Sequence, residues 1–155
     1  IGALVCKNQS VKESVMKFCQ ARLSPPLIGQ VIAEASIDTP AEYMQEMYNE
    51  YLERRNYLIE GLNKIPGVYS AVPMGAFYTV ARLPIDDSDK FCAWLLSEFE
   101  YEKQTVMMAP ASGFYTMKNV GCNEVRLAYV LKKEDLEKAL FILKKALEVY
   151  PGRTK

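Results

Sequence analysis

Histidine is absent from this 155-residue chain, and its four cysteines contain no C-x-x-C pair. The usual zinc-ligand patterns and the Ser-His and Cys-His nucleophile pairs are therefore missing. Cysteines scattered among apolar residues instead predict reduced, buried thiols in a cytoplasmic protein. These cysteines are Cys6, Cys19, Cys92 and Cys122.

Net charge and long apolar runs are also lacking. Nineteen basic residues balance nineteen acidic ones, so the composition predicts neither a nucleic-acid nor a membrane partner. We find no signal peptide and no apolar stretch long enough to span a bilayer. Half of the residues are hydrophobic and a quarter are charged, as in ordinary globular proteins. The length suits one domain, or one domain plus part of another.

The start of the chain has the character of an interior segment. It begins Ile1-Gly2-Ala3-Leu4-Val5, without methionine and as though already within a strand. We therefore expect this sequence to be a piece of a longer polypeptide.

The hydrophobic pattern predicts an α+β fold. A strand over residues 2–7 precedes a helix capped by Ser10 and Glu13, and further helices are expected over 27–37 and 41–65. Strands are then predicted over 68–72, 76–83, 105–109 and 123–130. A helix over 89–100 is expected to be capped by the cluster Asp86-Asp87-Ser88. The apolar positions of a last helix from residue 134 should pack on the sheet, namely Leu136, Leu140, Ile142, Leu143 and Leu147. The long helix and everything after it form one module. We therefore assign residues 36–155 to a small domain and residues 1–35 to the remnant of a larger one, with a linker.

One charged residue stands out in the last predicted strand, Asn123 to Val130. Arg126 lies among apolar neighbours, and strict alternation places it with Ala128 and Val130, on the face opposite Val125. In a buried strand a guanidinium is costly without a partner. A planar donor fork in such a place suits a carboxylate held by two parallel hydrogen bonds. From the strand alone, an internal salt bridge, or an edge strand whose arginine reaches solvent, is the simpler explanation of Arg126.

Three motifs occur in order along the chain. They are Pro73-x-Gly75-x-Phe77-Tyr78, then Ala109-Pro110-Ala111-Ser112-x-Phe114, then Val125-Arg126-Leu127-Ala128 before an amphipathic terminal helix. Together with the opening Ile1-Gly2, Ser24-Pro25-Pro26 and Gln30, this order resembles the C-terminal part of the fold-type I aminotransferases of the aspartate aminotransferase superfamily. The resemblance covers essentially the whole chain.

The resemblance implies a role for Arg126, because the family's arginine at this position binds the α-carboxylate of the substrate. Phe114 would then line the substrate pocket, with an exposed or core phenylalanine as the alternative, and turn chemistry alone explains Gly75 and Pro110. Some family members bind a second carboxylate through an arginine of the neighbouring subunit, near the position of Cys19 here. Arg22 lies close by, although a solvated arginine at a helix end explains it more simply.

The cofactor that the resemblance implies is pyridoxal 5'-phosphate, bound to a lysine that lies upstream of the Ile-Gly pair in the family. Lys7, Lys12 and Lys17 resemble ordinary surface lysines, so we expect no covalent cofactor and no activity in this chain alone. The implied parent is a cytoplasmic homodimer that transfers an amino group between an amino acid, with aspartate among the candidates, and a 2-oxo acid. A non-catalytic binding or regulatory relative, and a lyase or synthase using the same cofactor, remain alternatives.

Overall fold

The computed structural model describes residues 1–154, over which the chain has five α-helices and a four-stranded antiparallel sheet. The predicted α+β class is therefore confirmed. The chain divides into two compact units, Ile1–Glu46 and Met47–Lys155. The division at residues 35 and 36 concerns the domains of a longer protein and stays a prediction.

The first unit contains helices α1 (Gln9–Arg22) and α2 (Leu27–Ala35) and the beginning of α3 (Ala41–Asn63). The predicted cap at Ser10 is wrong, because the side chain of Asn8 accepts the first-turn N–H of Val11 at 3.2 Å. Asparagine caps a helix as well as serine does, and it comes two residues earlier.

The strand expected over residues 2–7 does not form, since the structure assigns no regular secondary structure before α1. A strand needs a neighbour for its backbone hydrogen bonds. Among the described residues 1–46 there is no strand that could provide them. Neither α1 nor α2 buries a residue.

The second unit is built on a sheet with the strand order β1-β2-β4-β3. Most strands are shorter than predicted. Of the strand expected over 105–109, only Ala109 pairs with a neighbouring strand, and this pairing extends one residue further, to Pro110. Proline cannot donate to a ladder and is tolerated at edges, which is where this strand lies. The strands are β1 (Tyr69–Ser70), β2 (Tyr78–Arg82), β3 (Ala109–Pro110) and β4 (Glu124–Ala128).

The core lies on one face of this sheet, against α3, α4 (Ser88–Ser97) and α5 (Lys133–Val149). Asp87 caps α4 by accepting the N–H of Lys90 at 3.0 Å, as the cluster Asp86-Asp87-Ser88 predicted. The four cysteines are free, but the prediction of buried thiols holds for Cys92 alone. Core side chains that are fully or almost fully enclosed include Leu62, Leu83, Phe91, Leu95, Val125, Leu143 and Leu147.

The C-terminal residues are anchored to the core by Tyr150. Its ring lies 4.8 Å from that of Phe91, and its hydroxyl donates to Oδ1 of Asp86 at 3.0 Å. Burial and this hydrogen bond raise the pKa of Tyr150 to about 12. The folded state therefore favours the neutral phenol more than the unfolded chain does.

This anchor predicts a loss of stability in alkali. The contribution of Tyr150 is complete below its unfolded pKa of about 10 and is lost as the pH rises to about 12. We expect the free energy of unfolding to fall more steeply over this window in the wild type than in Tyr150→Phe. Urea unfolding at several pH values measures both curves, and parallel curves would refute the assignment.

No helix in residues 1–154 is both long enough and apolar enough to cross a bilayer.

Candidate functional site on the open face of the sheet

Arg126 lies in the middle of the sheet, on the face opposite the helices. Its strand β4 is hydrogen-bonded on both sides, so that Arg126 is opposite Val80 of β2 and Ala109 of β3. Val125 and Tyr129 face the core, whereas Arg126 and Ala128 are exposed. The predicted alternation is confirmed.

The predicted burial of Arg126 is wrong. The helices cover one face of the sheet and leave Arg126 exposed on the other, so the guanidinium escapes the cost of transfer into the core. The edge-strand alternative is excluded too, because β4 is an internal strand of the sheet. Because Arg126 is exposed, the cost of desolvation gives no reason to assign it a special role. Its neighbours give a different reason.

Two aromatic rings lie against Arg126. Its Cζ atom is 5.3 Å from the ring centre of Tyr78 in β2 and 5.1 Å from that of Phe114. Both distances are within the range of cation–π attraction, which orients a planar guanidinium. Within residues 1–154 Arg126 makes no ion pair, which excludes the internal salt-bridge alternative. Its charge is therefore available to an external anion.

Phe114 reaches Arg126 from the loop that follows β3. The side chain is 60% exposed, which excludes a core position for Phe114 and leaves a pocket-lining or a simply exposed phenylalanine. A short 3₁₀ turn, Ser112–Phe114, carries it, and the hydroxyl of Ser112 donates to Asp89 of α4 at 2.5 Å. These contacts tie the loop to a helix and hold the aromatic ring beside the strand.

The same loop is fixed at its far end. The hydroxyl of Tyr115 donates to Glu124 of β4 at 2.5 Å, and this hydrogen bond raises the pKa of the phenol. Gly121 has a φ of +71°, and its backbone lies so close to the Tyr115 ring that a β-carbon would overlap it. Glu124, the acidic residue of β4, is thus hydrogen-bonded to a neutral partner and does not neutralise the charge of Arg126.

A tight turn leads into β2 on the other side of Arg126. The φ of Gly75 is not positive, whereas Ala76 adopts a left-handed conformation with a φ of 61°. The hydroxyl of Tyr129 donates to the carbonyl of Ala76 at 3.0 Å, and Arg55 donates to the carbonyl of Pro73 at 3.1 Å. The sequence had not pointed to Tyr129 or Arg55, because both contacts join residues far apart in the chain.

Two lysines of the chain, Lys133 and Lys145, have carboxylate partners, and the three that precede or lie in α1 are exposed. A lysine that forms an imine has to be neutral, which desolvation or a neighbouring cation promotes. Carboxylate partners instead raise the pKa of Lys133 and of Lys145. Lys7, Lys12 and Lys17 are exposed. Among residues 1–154 no group of three or more acidic or cysteine side chains is placed to hold a metal ion.

Arg22 lies in the last turn of α1, where a cation interacts favourably with the helix dipole. Arg126 therefore remains the candidate for anion binding on the sheet. Its fork of donors, two aromatic walls and lack of an acidic partner together suit a planar carboxylate, which can accept two parallel hydrogen bonds.

Comparison with known proteins identifies close relatives. The family model for aminotransferase class I and II matches residues 1–143. The chain is 31% identical to the aspartate aminotransferase of Pyrococcus horikoshii, over 96% of this chain and 37% of that protein. It is 30% identical to a probable aspartate/prephenate aminotransferase of Aquifex aeolicus, with the same two coverages.

A solved structure gives the same result for the fold. The alanine aminotransferase of Pyrococcus furiosus superposes with a TM-score of 0.69 at 27% identity, over 90% of this chain and 35% of that one. The chain thus spans a little over a third of the length of the relatives that it matches.

Proposed function

Because the chain belongs to the aminotransferase class I and II family, we propose that it is the C-terminal part of an enzyme that transfers an amino group between an amino acid and a 2-oxo acid. In this proposal Arg126 binds the α-carboxylate that both substrates share. The observation that supports it is the position of Arg126 between two aromatic rings, with no acidic partner in residues 1–154.

Arg126 would contribute recognition and orientation. Two parallel hydrogen bonds from one planar group fix the plane of the carboxylate as well as its position. Tyr78 and Phe114, with ring centres 5.3 and 5.1 Å from its Cζ atom, would restrict rotation of the guanidinium. A substrate held by its carboxylate presents its α-carbon at a defined distance, which is how positioning lowers a reaction barrier.

The cofactor of the complete enzyme would be pyridoxal 5'-phosphate, an electron sink for amino-acid chemistry. We propose that its covalent lysine is not among the residues of this chain and that the chain alone is inactive. The complete enzyme would be a cytoplasmic homodimer. The names of the relatives mention different substrates, namely aspartate, prephenate and alanine, so we propose no preferred side chain.

The test is a titration with pyridoxal phosphate, followed by visible absorbance. We expect no internal-imine band with this chain. A polypeptide extended upstream should give a band that an added amino acid discharges. A band with this chain alone would refute the proposed location of the lysine. The absence of a band from both would favour a non-catalytic binding or regulatory relative, and a band discharged without 2-oxo acid formation would favour a lyase or synthase.

A further inference from the structure

The turn that precedes β2, residues 73–77, is exposed to solvent, yet its carbonyl groups are held by hydrogen bonds from other parts of the unit. Met74, Gly75 and Ala76 are exposed to solvent, and Ala76 has a φ of 61°. A residue with a β-carbon rarely adopts this left-handed conformation, because the β-carbon approaches the following carbonyl oxygen. Such a conformation persists only where the surroundings impose it.

Side chains from two other elements impose it here. Tyr129 follows β4, and its hydroxyl lies 3.0 Å from the carbonyl oxygen of Ala76 and 3.4 Å from that of Gly75. Arg55 of α3 donates to the carbonyl of Pro73 at 3.1 Å. The outer side of the turn is free, whereas its carbonyl groups are held from within.

Tyr129 is suited to this task because it cannot easily move. Its side chain is 1% exposed, and burial raises the pKa of its hydroxyl, so the phenol stays a donor at neutral pH. Its own N–H donates to the carbonyl of Phe77 at 2.9 Å. Tyr129, three positions after Arg126, thus donates hydrogen bonds to the carbonyl groups of both Ala76 and Phe77.

The last residue of the turn packs against an aromatic neighbour of Arg126. Phe77 and Tyr78 lie edge to face, with ring centres 5.7 Å apart, and the Tyr78 ring lies 5.3 Å from Cζ of Arg126. The turn therefore determines where the Tyr78 ring is placed, and this ring in turn restricts the guanidinium.

We propose that Tyr129 and Arg55 are positioning residues for carboxylate recognition: they lock the strained turn 73–77, which keeps Tyr78 in place beside Arg126. The functional meaning of this lock rests on the carboxylate-binding role of Arg126, whereas its geometry does not. Neither residue would touch the substrate.

The experiment measures the geometry first, in the 155-residue chain without any substrate. The guanidinium N–H resonance of Arg126 is identified in ¹⁵N spectra by its loss in Arg126→Lys. Ring currents of Tyr78 and Phe114 displace this resonance from that of a free arginine. In Tyr129→Phe, which keeps the buried ring and removes the hydroxyl, we expect it to move towards the free position by more than one linewidth.

Tyr150→Phe is the matched control. It also removes one hydroxyl hydrogen bond from a buried tyrosine of the same unit, but this hydrogen bond is to Asp86 and not to a residue of the turn. We expect the Arg126 resonance to stay at its wild-type position in this variant. Arg55→Met, which removes the bond to Pro73, should move the resonance in the same direction as Tyr129→Phe and provides the test should Tyr129→Phe not fold.

In the complete enzyme, Tyr129→Phe should raise KM for the amino acid by about twofold to tenfold, the range of one neutral hydrogen bond, with little change in kcat. An unmoved Arg126 resonance, an equal movement in Tyr150→Phe, or an unchanged KM would overturn the proposal. A complete enzyme without transaminase activity would overturn the proposed function instead and leave the spectral result to decide the geometry.

Discussion

Replacement of Arg126 by lysine is expected to lower kcat/KM for amino acids in the complete enzyme by about 5- to 150-fold. This range corresponds to roughly 1–3 kcal/mol for the loss of a charge-assisted hydrogen bond. Lysine keeps the positive charge but offers a point charge in place of a planar fork. It also stacks less well between the rings of Tyr78 and Phe114, so its ammonium group would be less well oriented.

Steady-state kinetics with several amino acids measure this effect, and the visible spectrum should show that the cofactor still binds. Arg82→Lys is the matched control. Arg82 belongs to the same open face, two residues along β2 from the partner of Arg126, and its guanidinium also lies over a tyrosine, Tyr69, at 5.7 Å. Unchanged kinetics in Arg126→Lys, or an equal loss in Arg82→Lys, would contradict the assigned role.

The second large effect is expected in the core. Phe91→Ala should lower the free energy of unfolding by about 3–5 kcal/mol, because it removes a buried aromatic ring and leaves a cavity. The side chain of Phe91 is fully buried, and its ring packs 4.8 Å from that of Tyr150 and 6.1 Å from that of Trp94. Its loss would loosen the C-terminal anchor as well as α4.

Urea unfolding of the 155-residue chain measures this loss as a lower midpoint. A domain of ordinary stability has only about 5–15 kcal/mol in total, so Phe91→Ala should lose a large fraction of the stability of the chain. Leu96→Ala provides the comparison, because Leu96 lies on the same helix and is 58% exposed; it should change stability by no more than about 0.5 kcal/mol. A loss below about 1 kcal/mol in Phe91→Ala would show that the ring is not part of a tightly packed core.

The sequence predicted the elements of the second unit well, because their periodicity reflects contacts within that unit. The pattern of α5 and the alternation in β4 both gave the correct buried face. The aspartate cluster before α4 also gave the correct cap. These signals are local: each depends on residues three or four positions apart, or on strict alternation.

The errors arose where a residue depends on distant parts of the chain. Alternation shows that Arg126 and Val125 face opposite ways, but it cannot show that one face of the sheet is uncovered. The approach of Phe114 to Arg126 requires a loop held by Asp89 and Glu124, and the lock on the turn requires Tyr129 to reach Ala76. Residues 2–7 were assigned to a strand for their composition, although a strand also needs a partner.

Because helices pack on one face of the sheet alone, neighbouring residues of a strand are under different evolutionary constraints. In both β2 and β4, odd-numbered residues such as Ala81 and Val125 face the helices, and even-numbered ones such as Val80 and Arg126 face outward. Odd positions are constrained by packing, so drift there is limited to residues of similar volume. Even positions are released from that demand: Arg126 would be constrained instead by its proposed role in carboxylate binding, whereas Val80 and Ala128 can change more freely. Alternate residues of one strand can thus diverge at different rates while the fold is inherited through the buried ones.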